Sequence, residues 1–230
     1  MTELLYMKDC YIKEFDANII ENSNEFVVLD KTAFYPEGGG QLSDNGTLNN
    51  IEVIKVKKED GKIKHYIKEP IKEKKVHGII DWNKRYRFMR MHSAQHLLSS
   101  IILDKYNAST VGNQITYERS RLDFFPFKPT NEDLDFIEKE FNKFIDKKIE
   151  IKIYFTTRET VLKEIDEKRR NLFSRIPEIV KEIRVIEIKN IDKCPCAGTH
   201  IKNTSEIGYI KNIKTENKGK DTTRLSFELK

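Results

Sequence analysis

A chain of 230 residues has room for one large domain or two modest ones. With 38% hydrophobic and 34% charged residues it reads as a globular protein with a densely charged surface, and it has no run of about 18 apolar residues that would cross a membrane. The net charge of +5 is compatible with a polyanionic partner without demanding one, since lysines often sit beside glutamates, as in Lys72-Glu73-Lys74-Lys75.

The start, Met1-Thr2-Glu3-Leu4, has no basic segment leading into an apolar core, so no secretory signal is predicted. An odd count of three cysteines argues against a disulfide framework and for reduced thiols or metal ligands in the cytoplasm. Up to about residue 80 the pattern is one of short strands broken by turns. Phe26 to Leu29, Ile51 to Val56 and Ile63 to Ile67 are rich in strand formers. Glu21-Asn22-Ser23-Asn24, Asp44-Asn45-Gly46 and Glu59-Asp60-Gly61 supply turns. A small closed or nearly closed β-barrel is the expected way to protect so many edges.

The character changes after Asp81-Trp82, which predicts a first domain over 1–82 and a second over 83–230. From Arg87 to Tyr106 the period is helical, with Phe88, Met91, Ala94, Leu98, Ile101 and Ile102 on one stripe. Thr130, with Asp133 three residues on, is a capping-box start for a second helix, whose buried face would be Leu134, Ile137, Phe141 and Phe144 or Ile145. Ile149, Ile151, Ile153 and Phe155 alternate as in a half-buried strand. A short helix is expected over Arg158 to Asp166, a strand over Ile183 to Ile188, and two closing strands over Ile207 to Thr215 and Thr223 to Leu229. The expected class is α+β: an N-terminal barrel, then an α+β domain with a mostly antiparallel sheet.

His92-Ser93-Ala94-Gln95-His96 puts two imidazoles about 40° apart around a helix, so both rings point the same way. The spacing suits one metal ion, though no glutamate follows His92 as in the helical metalloproteases. They sit just past the edge of the apolar stripe, where a helix borders a cleft. Downstream, in Cys194-Pro195-Cys196-Ala197-Gly198-Thr199-His200, a cysteine and a histidine spaced C-x3-H can complete a tetrahedral set. Cys194 is an alternative to Cys196. Donors of this kind, with no carboxylate among them, favour Zn2+ over magnesium or calcium. Cys10 reads as structural filler.

Three consecutive glycines in Phe34-Tyr35-Pro36-Glu37-Gly38-Gly39-Gly40-Gln41 expose backbone to close approach. The segment lacks the lysine and the spacing of a nucleotide P-loop. This stretch with Asp44 and Gly46, His92 through Leu98, Cys196 through His200, Asn203-Thr204-Ser205-Glu206-Ile207-Gly208 and the closing Lys218-Gly219-Lys220 through Arg224-Leu225-Ser226-Phe227 follow one another as they do in a known family. The chain resembles the AlaX proteins, free-standing relatives of the editing domain of alanyl-tRNA synthetase, and is most similar to their medium-sized type. Two departures are Ala197, where the family's first C-G-G-T-H glycine stands, and Ser93, where threonine is common.

The resemblance implies a trans-editing hydrolase that deacylates tRNA(Ala) mischarged with serine or, less well, glycine. It implies zinc held by His92, His96, Cys196 and His200, and substrate discrimination by Gly38, Gly39, Gly40 and Gln41. Thr199 is a further expected substrate contact. Thr32 and Gln41 are the expected catalytic residues, placed to hydrogen-bond the serine hydroxyl or ordered water. The editing domain of threonyl-tRNA synthetase shares the histidine and cysteine motifs, and the three glycines point to the alanine branch instead. Arg85, Arg87 and Arg90 before the first histidine, Lys168-Arg169-Arg170, and Lys218, Lys220 and Arg224 in the last hairpin are candidate phosphate contacts.

Overall fold

Alternating apolar and polar residues, which a pleated strand sends to opposite faces, build the N-terminal part of the computed structural model, in which residues 2–165, 167, 169 and 176–230 are described. The chain divides into two units, Met1–Met89 and Arg90–Lys230. In chain order the first contains β1 (Glu3–Leu4), α1 (Leu5–Lys8), β2 (Glu14–Asn22), β3 (Phe26–Leu29), β4 (Lys31–Thr32), β5 (Gly46–Leu48), β6 (Ile51–Glu59), β7 (Lys62–Ile67) and β8 (Lys75–Ile80). Six of these strands pair antiparallel as a closed barrel in the order β2-β3-β7-β6-β5-β8, and β8 returns to β2. The short β1 and β4 pair in parallel.

The inward-facing set is apolar: Phe15 and Ala17 of β2, Ile63 and Ile67 of β7, and Val76 and Ile80 of β8 are all buried. His65 occupies the same inward row of β7 and is fully buried, so both its ring nitrogens need partners. Nδ1 lies 3.2 Å from the carbonyl of Val27 and Nε2 lies 2.8 Å from Oγ1 of Thr32. A carbonyl only accepts, so Nδ1 carries the proton and Nε2 accepts from the Thr32 hydroxyl. That hydroxyl in turn accepts from the backbone N–H of Phe34 at 3.1 Å.

The long helix α2 (Trp82–Tyr106) begins in the first unit, and the division falls inside it, between Met89 and Arg90, beyond the change of character at Asp81-Trp82. Its first turns belong with the barrel unit because Arg85 is anchored there. Its Nε donates to Asp44 at 3.0 Å, Nη1 to the carbonyl of Cys10 at 2.9 Å and Nη2 to that of Ala33 at 2.5 Å. Asp44 also accepts from the backbone N–H of Tyr35 at 2.6 Å.

In the second unit every residue of α2 from Met91 to Leu103 is buried. The stripe of Phe88, Met91, Ala94, Leu98, Ile101 and Ile102 is inside as expected, but so are Ser93, Gln95, Ser99 and Ser100. A helix surrounded on all sides must satisfy its polar groups internally. Ser99 meets the Thr110 hydroxyl at 2.8 Å and Ser100 donates to the carbonyl of Ile191 at 2.5 Å.

The remaining elements are β9 (Ser109–Gln114), β10 (Ser120–Phe125), α3 (Asn131–Asp146), β11 (Ile151–Thr157), α4 (Arg158–Glu164), β12 (Glu182–Ile188), β13 (Asp192–Pro195), β14 (Ile210–Asn217) and β15 (Thr223–Leu229). Two antiparallel sheets result, ordered β14-β15-β10-β9 and β11-β12-β13. The mixed helix-and-strand class with mostly antiparallel pairing agrees with the sequence pattern. Helix α3 opens with the expected capping box, Thr130 with Asp133, and buries Ile137, Phe141 and Ile145, so Ile145 and not Phe144 completes its face. Strand β11 buries only Ile151 at its start, and Phe155 is 43% exposed, so the regular alternation there overstates the depth of packing. Helix α4 ends at Glu164, and the expected terminus, Asp166, lies outside the described residues. Among the described residues no helix is long and apolar enough to cross a membrane.

Candidate metal centre

One helical turn separates His92 from His96 on α2, and their ring centroids lie 5.3 Å apart. The other half of the centre comes from the loop after β13. Strand β13 is held in register by β12, with Val185 opposite Pro195 and Ile186 opposite Cys194. The loop is then pinned by Arg184 of β12. Its Nη1 donates to the carbonyls of Cys196 at 2.6 Å and Gly198 at 2.9 Å, and its own carbonyl accepts from the N–H of Cys196 at 3.1 Å. The Gly198 N–H reaches the Cys196 sulfur at 3.4 Å, which favours the thiolate.

One donor atom from each of His92, His96, Cys196 and His200 lies within 4.8 Å of all the others. The Cys196 sulfur is 3.6 Å from Nε2 of His92 and 3.3 Å from Nε2 of His200. Tetrahedral zinc, with bonds of about 2.3 Å to sulfur and about 2.0 Å to nitrogen, requires sulfur–nitrogen edges of about 3.6 Å. The donor set therefore fits such an ion in both chemistry and spacing. His92, His96 and His200 are buried, and Cys196 is half-buried.

The buried donors act strongly on one another: burial would lower His96, but the Cys194 sulfur and Asp192 outweigh it and hold it well above the ordinary imidazole value. Burial would raise the Cys196 thiol, but the charges of His92 and His200 and their hydrogen bonds outweigh it and hold the thiol well below its usual range. His200 is held well below the ordinary imidazole value, by burial first and by its neighbour His92 second, which keeps its Nε2 lone pair available. On the far side of His96, Nδ1 faces the carboxylate of Asp192 at 3.0 Å and the sulfur of Cys194 at 3.1 Å. Nδ1 of His200 faces the hydroxyl of Ser93 at 3.1 Å.

The structure thus brings together the four residues singled out for the ion, while Cys194 falls in a second donor group with His96 and Asp192. Cys194 lies against the opposite nitrogen of His96, buried with Val161, Ile165, Ile183 and Val185. Thr199 is fully buried beside His200. Thr32 and Gln41 are both buried in the first unit. Gly38 and Gln41 exchange backbone hydrogen bonds of 3.1 and 2.9 Å, with Gly39 at φ 57° and Gly40 at φ 86° between them. Positive φ at both central positions is the demand of a type I′ turn, so two of the three glycines are required by the backbone itself. The Tyr35 hydroxyl donates to the Gly38 carbonyl at 2.8 Å and stiffens the turn.

Of the basic candidates, Arg85 is corrected: it is 0% exposed and committed to Asp44, so it offers nothing to a phosphate. Arg90 donates to the carbonyls of Ile207 at 2.8 Å and Lys230 at 2.6 Å, and Arg224 to Asp123 at 2.7 Å, so both guanidinium groups are engaged within the second unit. Arg87 is half-buried and Lys220 exposed. Lys218 lies 3.2 Å from Glu216 on the surface. Arg169 pairs with Asp192 at 2.7 Å, and its neighbours Lys168 and Arg170 lie outside the described residues. The residues that sequence reasoning missed are the outer partners Asp192 and Arg184, while Ser93 is marked in the sequence only as standing where threonine is common. The only signal for the first was a lone aspartate shortly before Cys196.

Residues 183–226 match the family described as the threonyl and alanyl tRNA synthetase second additional domain, and residues 5–84 match the class II (A) tRNA synthetases. Over its full length the chain is 41% identical to the alanyl-tRNA editing protein AlaX-M of Saccharolobus solfataricus, covering 100% of that protein. It is 40% identical to the AlaX-M of Methanosarcina barkeri, covering 99% of it. It is also 37% identical to the alanine–tRNA ligase of Ignicoccus hospitalis, of which it spans 26%.

Proposed function

We propose, from the premise that this chain belongs to the family of AlaX-M alanyl-tRNA editing proteins, that it is a zinc-dependent deacylase acting in trans on tRNA(Ala) mischarged with serine and, less well, with glycine. The observation that carries this reading is the convergence of His92, His96, Cys196 and His200 within 4.8 Å of one another. Zinc held by these four residues would supply fixed positive charge that organises the site and offsets negative charge near the ester. Four protein donors already fill a tetrahedral set, which favours positioning over direct activation of the nucleophile.

The chain's own residues supply selectivity. Alanine differs from serine by a single hydroxyl, and a site that requires a hydrogen bond to it leaves its own polar group unpaired when alanine enters. Thr32 and Gln41 are assigned this recognition. Because the Thr32 hydroxyl gives its proton to His65, it meets a ligand as an acceptor, and the serine hydroxyl is the donor. Gly38, Gly39 and Gly40 shape the approach, and Thr199 lies beside the ligand His200. Glycine is excluded or admitted by size alone, a weaker discriminator, and this predicts the lower glycyl activity. Arg87, Lys218 and Lys220 are assigned to tRNA phosphates, a role that fits the cytoplasm, where tRNA is charged.

Single-turnover deacylation of seryl-, glycyl-, alanyl- and threonyl-tRNA, run alongside metal analysis of the purified protein, tests the proposal. Seryl-tRNA is expected to be cleared fastest and alanyl-tRNA spared. His92→Ala is expected to lose both the ion and the activity. Equal rates on alanyl- and seryl-tRNA, or full activity from metal-free protein, would overturn it.

A further inference from the structure

Three imidazoles that share one cation must each present a lone pair inward and hold a proton outward, so each needs an outer acceptor that fixes its tautomer. For His96 two acceptors compete. The Asp192 carboxylate places Oδ2 at 3.0 Å from Nδ1, and the Cys194 sulfur stands at 3.1 Å from the same atom. Cys194 sits in an apolar cluster with Val161, Ile165, Ile183 and Val185, its thiol lies 3.7 Å from the same Asp192 oxygen as a donor, and sulfur is a weak acceptor. Asp192 is only 4% exposed, and its other oxygen, Oδ1, is met by Nη1 of Arg169 at 2.7 Å. That contact is an ion pair and not an aligned hydrogen bond, since Oδ1 has no hydrogen-bond partner among the described residues, so attraction and not geometry holds the carboxylate there; its bond from the ring N–H is charge-assisted and exceeds one to a thiol.

We propose that Asp192, anchored by Arg169, is the positioning residue of the metal centre: it accepts the Nδ1 proton of His96 and turns that ring's Nε2 toward His92, Cys196 and His200. Ser93 serves His200 in the same way from 3.1 Å. Cys194 is then a packing residue and not a reserve ligand. The inference rests on the metal reading given above.

Two measurements besides activity test it. In the zinc-loaded wild type, nitrogen-resolved NMR of labelled histidine is expected to find the His96 proton on Nδ1, and a proton on Nε2 would overturn the proposal. In competition with a chromophoric chelator, Asp192→Ala is expected to bind zinc about 10- to 100-fold more weakly, and Cys194→Ala to bind within about twofold of wild type. Asp192→Asn keeps the volume and one acceptor oxygen, so it serves if the alanine variant does not fold, with a smaller loss expected. Wild-type affinity in both Asp192 variants would refute the role of Asp192 while leaving the centre intact, as would a loss confined to Cys194→Ala. A wild-type protein that binds no zinc would instead overturn the metal reading itself, and this inference with it.

Discussion

Asp44 and Arg85 form a charge pair from which water is excluded on every side, and their worth lies in being matched completely. Each oxygen of the carboxylate accepts from the guanidinium, and one also accepts from the Tyr35 N–H. Removing one partner strands the other charge in the interior, which costs about 3–5 kcal/mol. Asp44→Ala is therefore expected to lower the unfolding free energy by that amount in urea titration, far more than an average substitution. The same pair marks what a sequence can and cannot disclose about single residues. The four-donor cluster was legible only in combination, because a helical pair of histidines or a C-x3-H segment alone is weak, whereas the two together supply one set of like donors. Arg85 looked like a phosphate contact because an arginine beside other basic residues carries no sign of the aspartate that will bury it. Asp192 was silent for the complementary reason: its partners, His96 and Arg169, lie far from it in the chain.

Elements repeat this contrast between local and long-range information. The start of α3 was readable to the residue because Thr130 and Asp133 cap through bonds spanning three positions. Thr130→Ala is expected to cost about 1 kcal/mol by denaturant unfolding, without altering zinc content. Strands β3, β6 and β7 were visible from their branched and aromatic residues. Strand β2 was not, since Glu14, Asp16 and Asn18 occupy the outward positions between Phe15, Ala17 and Ile19 and dilute its signal. Strand β9, Ser109–Gln114, has almost no apolar content of its own and forms because β10 pairs with it. In α2 the single stripe understated burial, because a helix covered on all sides has no face that must be polar.

At the level of the whole chain, one component of acid sensitivity should belong to a barrel residue. Burial pushes His65 down from 6.5 to about 4, so the folded protein keeps it neutral while the unfolded chain takes up a proton below pH 6.5. Its contribution is complete above pH 6.5 and is lost as pH falls toward 4, amounting to about 3 kcal/mol across that window. Urea titrations at matched metal content from pH 7 to 4 should give a steeper decline for wild type than for His65→Gln, and parallel curves would contradict the assignment. The three sulfurs differ as sharply in their surroundings. Cys10 and Cys194 are each 2% exposed, whereas Cys196 keeps a half-open side and an acidified thiol. An alkylating reagent applied to the intact, chelator-stripped protein should consequently label Cys196 first, and added zinc should suppress the labelling. Cys196 thus doubles as a built-in gauge of occupancy, readable by mass spectrometry without any tRNA in the tube.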